Sequence, residues 1–210
     1  MNILTLVVVY DRFANLKRWR RVWRMQPRDG HVVFVRNADE METRLVRTVD
    51  ATNEIDIDRL NYGKGCGVVQ DVILGRFDGW IPNDWEWLWY ATDDFLPMQV
   101  DFLEPFRLAA TDDNVALVGC RYSENCGPHM RTGGYMIRRD VAEILEWPAD
   151  PMRDQADGYA LEWGSHNMRS QVLAMGFGVT ILSGADADVI WDSDHERAMG
   201  KWSQIPGEET

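Results

Sequence analysis

The sequence predicts an α/β fold in which a largely parallel sheet is covered by helices. Two observations predict it. In the first half, short apolar runs rich in β-branched residues alternate with helical patterns, as in successive βαβ units, while the second half has shorter, mixed strands. The second observation is the run Trp85-Glu86-Trp87-Leu88-Trp89-Tyr90-Ala91-Thr92-Asp93-Asp94-Phe95-Leu96-Pro97. It reads as a buried strand that stops in two adjacent carboxylates. Carboxylates at the carboxyl end of such a strand stand where open α/β sheets bind ligands. Side-by-side like charges near a core are costly unless a cation or hydrogen bonds compensate them. Hard oxygen ligands favour Mg²⁺ or Mn²⁺. The same pair also reads as a polar turn that merely stops the strand.

The elements follow in order. The run Ile3 to Tyr10 is nearly all apolar and β-branched, as expected of a central strand buried on both faces. A loop at 11–15 leads into a helix whose apolar positions Leu16, Trp19, Val22 and Trp23 recur at helical spacing, so that Lys17, Arg18, Arg20, Arg21 and Arg24 are expected to face solvent. That basic face is either simply solvated or a patch for an anionic acceptor. Residues 27–30 close the helix, 31–35 form a second strand, and 40–50 are expected to be helical. Ile55, Ile57 and Leu60 alternate with polar residues as a short third strand. A glycine-rich turn at 62–67 continues into a helix from Val68. The fourth strand is 87–91, the fifth 116–120 and the sixth 132–137. A helix at 141–147 ends at Pro148, another at 165–175 ends at Gly176, and 178–182 is a late strand. No internal repeat or low-complexity linker interrupts the chain.

Composition narrows the function classes. The chain has 210 residues, 45% hydrophobic and 11% aromatic, enough to bury a substantial core. Three cysteines exclude a full disulfide framework and favour a reduced compartment. The first apolar run is too short for a membrane span and lacks a basic region before it, so a cytoplasmic protein without membrane contact is expected. The net charge of −12 opposes a dedicated nucleic-acid binder. Cys120, Cys126 and His129 have neither the close spacing nor an evident fourth ligand for a zinc site. Of the ten tryptophans, Trp19, Trp23, Trp87 and Trp89 fall on core-facing patterns, whereas Trp163 and Trp191 are candidates for stacking on a sugar or base.

Four segments, in this order and spacing, resemble the GT-A glycosyltransferases, most closely the family 2-like enzymes. They are Val7-Val8-Val9-Tyr10-Asp11-Arg12, then Asn61-Tyr62-Gly63-Lys64-Gly65 running into a helix, then Tyr90-Ala91-Thr92-Asp93-Asp94, and finally Thr132-Gly133-Gly134 with Ile137-Arg138-Arg139-Asp140-Val141. The resemblance spans about residues 3–195. It implies a GT-A-like single domain, with a nucleotide-sugar-binding half on a parallel sheet (1–94), a mixed-strand acceptor half (95–199) and a polar tail (200–210). The third segment is similar to a DxD-type metal motif, except that Thr92 stands where its first Asp would stand. Asp94 then matches the metal-binding Asp, and Asp93 the middle position.

The resemblance implies a metal-dependent, inverting transfer of sugar from a nucleotide-sugar donor to an acceptor hydroxyl, with Mn²⁺ or Mg²⁺ as cofactor. His195, within Trp191-Asp192-Ser193-Asp194-His195-Glu196, is similar to the late His that completes the metal shell, with Asp192 and Asp194 as partners for its imidazole. Glu162 is the expected general base and Asp157 its substitute. Tyr10, Asp11, Arg12, Asp39, Lys64 and Asp93 are expected to meet the donor, the carboxylates through base or ribose and the cations through phosphate. A small molecule, glycan or protein suits the acceptor, and modified DNA is disfavoured by charge. A sugar nucleotidyltransferase is weighed against by the absence of glycine in Asp11-Arg12-Phe13, and a non-catalytic binding module remains as the other alternative.

Overall fold

The computed structural model of the chain describes residues 1–10, 13–26, 30–40, 42–123, 129–187 and 189–192. β1 (Ile3–Val9) leads to α1 (Phe13–Met25), β2 (Gly30–Ala38), β3 (Arg44–Val49) and β4 (Glu54–Leu60). Then come α2 (Lys64–Ile73), β5 (Trp87–Thr92), β6 (Phe95–Pro97), α3 (Glu104–Ala109) and β7 (Val115–Gly119). The second half continues through β8 (Tyr122–Ser123), β9 (His129–Met130), β10 (Gly134–Arg138), α4 (Arg139–Ala142), α5 (Gln155–Trp163), α6 (Met168–Ala174), β11 (Gly178–Ile181) and β12 (Ile190–Asp192). Among the described residues no helix is long and apolar enough to cross a membrane.

The main sheet has eight strands in the order β11-β7-β10-β5-β1-β2-β4-β3. β5, β1, β2 and β4 run parallel, whereas β10 is antiparallel to both β5 and β7, and β3 is antiparallel to β4. Chain order reverses on either side of β1: β2 lies on one flank and β5 on the other. This is the switch point at which open sheets leave a crevice beyond their carboxyl ends. Two-sided burial explains why β1 is apolar at every position but Thr5. Leu4, Leu6 and Val8 join a core with α2, α4, α5 and α6, while Ile3, Val7 and Val9 join one with α1 and α3. On the latter face Trp19, Trp89, Phe102 and Phe106 pack edge-to-face or tilted, with centroids 5.1–5.7 Å apart. Trp23 and Trp87 are also buried, as their spacing predicts.

Among the described residues of segment 40–50 there is no α-helix. Residues 44–49 form the exposed edge strand β3, which has no apolar stripe and is held by charge. Arg44 pairs with Asp58 and Arg47 with Asp56 across the β3–β4 ladder. The helix after the glycine turn begins at Lys64 rather than Val68, the sixth strand starts at Gly134, and the helix expected at 141–147 is the short α4.

The basic helix departs from expectation too. Arg20 does not face solvent. Its guanidinium spans Glu54 and Asp56 at 2.6 Å each and lies 4.5 Å over the Phe34 ring. Arg24 adds a 2.6 Å bond to Glu54, whose side chain is fully buried. Two cations of the presumed patch are therefore neutralised internally, which removes charge that an anionic acceptor would need.

Burial alone would raise the Glu54 carboxyl, but hydrogen bonds from Arg24, Thr52 and Arg20 outweigh it and hold the group below its ordinary 4.5. A carboxyl depressed on folding contributes stability that is complete above its unfolded pKa and lost as pH falls through the folded value. The expected result for Glu54→Gln is a lower urea midpoint at pH 7 and a gap to wild type that closes progressively below about pH 4.5. A gap independent of pH between 7 and 3 would contradict this account.

Candidate active site

A cavity of about 280 Å³ opens at the carboxyl edge of β1 and β5. One wall is Tyr10, Gly63, Lys64, Gly65, Cys66, Tyr90 and Thr92; the other is Thr132, Gln155, Gly158, Tyr159 and Glu162. The first wall depends on glycine. Gly63 is left-handed (φ 61°), which turns the chain into α2. A Cβ on Gly65 would lie 1.9 Å from the Tyr90 hydroxyl, so only glycine lets the start of α2 close on β5.

Beneath this wall is a buried polar network. Arg59 and Asp71 are both fully buried and joined at 2.6 Å. Arg59 also donates to Asn37 and to the carbonyls of Leu60 and Tyr62, and stacks 3.7 Å over the Tyr62 ring. Asp71 further accepts from the Tyr62 hydroxyl at 2.8 Å and from Arg76 at 2.5 Å. The turn that presents Lys64 is thus fastened to β4 and α2 by charge-assisted bonds.

The end of β5 carries the two acids in different roles. Asp93 is buried. Its backbone N–H donates to the Val8 carbonyl (2.8 Å), and its carboxylate accepts from the Tyr10 N–H (3.3 Å). It ties β5 to β1 and is not among the cavity-lining residues. Asp94 is half-buried and accepts from the Thr92 hydroxyl, which itself lines the cavity. β12 pairs antiparallel with β6, so that Asp192 stands opposite Phe95, the residue after Asp94.

On the opposite wall, Glu162 is held by Thr132. The Thr132 N–H donates at 3.3 Å and its hydroxyl at 3.0 Å. The buried His129 has Nε2 3.9 Å from the same carboxylate. Asp157 is differently employed: the Arg153 backbone N–H, 2.8 Å away, heads the causes that hold it below the usual carboxylate range, and it does not line the cavity. Burial pushes the Cys66 thiol up to about 12, with the Glu162 charge adding to it, so this sulfur stays protonated. Burial likewise raises the Tyr10 hydroxyl above its ordinary value.

Tyr10, Lys64, Thr92 and Glu162 therefore meet at one cavity. Asp39 is exposed and accepts from Asn61 at 2.7 Å, outside the cavity lining. Asp11, Arg12, His195, Asp194 and Cys126 lie outside the described residues. Cys120, considered for zinc, bonds through its thiol to the Gly134 carbonyl at 3.1 Å. Gln155 and Tyr159 were not anticipated. Their signal was the spacing 155, 158, 159, 162, which puts four residues on one helical face, masked by Pro151 and Gly158.

No protein-family model matches the chain, and no curated protein matches it in sequence. The mannosyltransferase PcManGT from Pyrobaculum calidifontis, solved in complex with GDP-Man and Mn²⁺, overlays with a TM-score of 0.57 at 14% identity, covering 86% of this chain and 54% of that one. The fold is GT-A-like. The chain spans about half the length of that enzyme. The glycosyltransferase GlyE of Streptococcus pneumoniae TIGR4 (TM-score 0.45, 12% identity, 86% and 45% covered) and S. aureus TarS (0.47, 11%, 70% and 30%) overlay more loosely. In the GT-A-like frame, the β1/β5 edge that carries Tyr10 and Asp94 is the crevice edge of the sheet.

Among the described residues no three His, Cys, Asp or Glu side chains cluster to hold a metal. Asp94, as a hard oxygen donor at this edge, suits a divalent cation that takes one or two carboxylates and completes its shell with ligand phosphates and water.

Proposed function

We propose that this protein is a nucleotide-sugar-dependent glycosyltransferase. The observation that carries the reading is the shared cavity, in which Tyr10, Lys64 and Thr92 face Glu162 across the switch point of a GT-A-like sheet. In this reading the donor lies along the first wall. Lys64 meets phosphate, and Tyr10, with Asp11 and Arg12 next in the chain and Asp39 just after β2, borders the base and ribose. Asp93 supports the edge from within by bridging β5 to β1. Asp94, with His195 as second ligand, would hold Mn²⁺ or Mg²⁺, and that cation would supply charge neutralisation for a leaving diphosphate.

Glu162 takes the proton from the acceptor hydroxyl. Thr132 fixes both carboxylate oxygens, so that the group is oriented before the acceptor arrives. Asp157 is the weaker candidate, because it does not line the cavity that Glu162 lines. A base on the acceptor side opposite the departing diphosphate suits direct displacement, hence inversion.

The test is thermal shift with UDP-, GDP-, CMP- and dTDP-sugars, with and without Mn²⁺, on wild type and Asp94→Ala. One nucleotide sugar is expected to raise Tm only with Mn²⁺, and Asp94→Ala to abolish that rise. No shift with any donor, or a shift unchanged in Asp94→Ala, would refute the assignment. Thr92, in place of a first motif Asp, favours one other reading, a non-catalytic binding module of the same descent. Donor stabilisation without hydrolysis or transfer would support it.

A further inference from the structure

We propose that the acceptor is a neutral saccharide whose ring stacks on the exposed Tyr159–Trp163 pair while one of its hydroxyls reaches Glu162. The inference rests on the glycosyltransferase reading and names its acceptor class. α5 carries both parts. Gln155, Gly158, Tyr159 and Glu162 line the cavity from one helical face, so the proposed base and an aromatic ring are one turn apart. Trp163 follows directly. Its ring lies 4.5 Å from that of Tyr159, tilted by 38°.

The two rings are both exposed, Tyr159 at 39% and Trp163 at 37%. Their geometry is nevertheless constrained. Gln155 donates to the Tyr159 hydroxyl. The Trp163 ring stands edge-on to His129, at 6.0 Å and 84°, and His129 is itself buried against Glu162. Exposed aromatic surface that is held still rather than folded away is a preorganised platform. A pyranose ring complements it, because it presents a C–H face for stacking and hydroxyls for the rim.

The chemistry of the rim selects among ligands. Gln155 bonds the Tyr159 hydroxyl and Thr132 bonds Glu162, and among the described residues that line this wall of the cavity Glu162 is the one charged side chain. The net charge of −12 disfavours an anionic sugar, and among the described residues lining this wall there is no cation to receive one. Neutral hydroxyls matched to amide and hydroxyl partners fit this lining.

Saturation-transfer NMR on the full chain with GDP or UDP and Mn²⁺ tests the proposal. The probes are maltotriose, mannotriose and chitotriose, with a Gly/Ser/Thr peptide in parallel. At least one trisaccharide is expected to show transfer to its ring C–H protons, and Trp163→Leu is expected to weaken that binding about tenfold through loss of the stacked face. Trp163→Phe, which keeps a ring, should retain most of it, and circular dichroism verifies that each variant is folded. The proposal is overturned if no trisaccharide binds, if binding ignores both Trp163→Leu and Tyr159→Leu, or if the peptide binds in their place. It is also overturned if light scattering shows a dimer that Trp163→Leu dissociates. The nucleotide-induced Tm shift is read separately: its absence refutes the glycosyltransferase reading, whereas its presence without saccharide binding refutes the acceptor class alone.

Discussion

Glu162→Gln is expected to reduce sugar transfer by about 10²–10⁴-fold while leaving donor binding intact. The substitution keeps an oxygen for Thr132 to bond, so the side chain stays in place, but it removes the lone pair that accepts the proton. The cavity wall proposed for the donor, with Tyr10, Lys64 and Thr92, is untouched. The measurement pairs turnover with the nucleotide-induced Tm shift. A fall in both would mean that Glu162 holds the fold or the donor; no fall in turnover would remove it as the proposed base. Asp157→Asn is the matched control, expected to lower stability modestly by removing the carboxylate charge beside Arg153 in the first turn of α5 and to leave the rate per folded molecule nearly unchanged.

Asp71→Ala is expected to cost about 3–5 kcal/mol of unfolding free energy, the largest stability effect anticipated here. The substitution leaves the Arg59 guanidinium fully buried without its carboxylate. Attraction between two buried charges is offset by the desolvation of both, so the pair adds little net stability, whereas an uncompensated charge is severe. The double variant Arg59→Met with Asp71→Leu is therefore expected to recover most of the loss. Urea denaturation of the three proteins decides it. A single variant within 1 kcal/mol of wild type, or a double variant no better than the single, would contradict the account. Donor binding should fall in Asp71→Ala even where the protein remains folded, because the turn that presents Lys64 hangs on Arg59.

The strands and helices that were legible from the residues alone share one property: they are buried on two faces or along a clear stripe. β1, β2 and β5 read correctly because each carries a continuous apolar run buried on both faces, Val32 to Val35 in β2. β3 did not, because an exposed edge strand carries no hydrophobic period and is held by guanidinium–carboxylate pairs whose partners lie some ten residues away. The orientation of Arg20 was hidden for a related reason. Glu54, Asp56 and Asp58 alternate along β4 and so share one side, but nothing local to α1 shows that this acidic row faces it. At the cavity, the order of motifs pointed to Tyr10, Lys64 and Glu162. Gln155 and Tyr159 escaped because α5 has a polar cavity-facing side and a glycine in its middle, which break the pattern that marks a helix.

The exposed border strand has a further meaning for how molecules of this protein behave at high concentration. A free sheet margin is a template on which another chain can add itself, and long, flat, apolar margins seed aggregates. β3 is none of these. Its pairing with β4 slips between Leu45 and Arg47, which kinks the margin, and the guanidiniums of Arg44 and Arg47 bend back over its own neighbour. An incoming strand would meet an irregular, charge-guarded rim instead of a straight ladder, so the ion pairs that hold the strand in place also keep the sheet from growing into its neighbours.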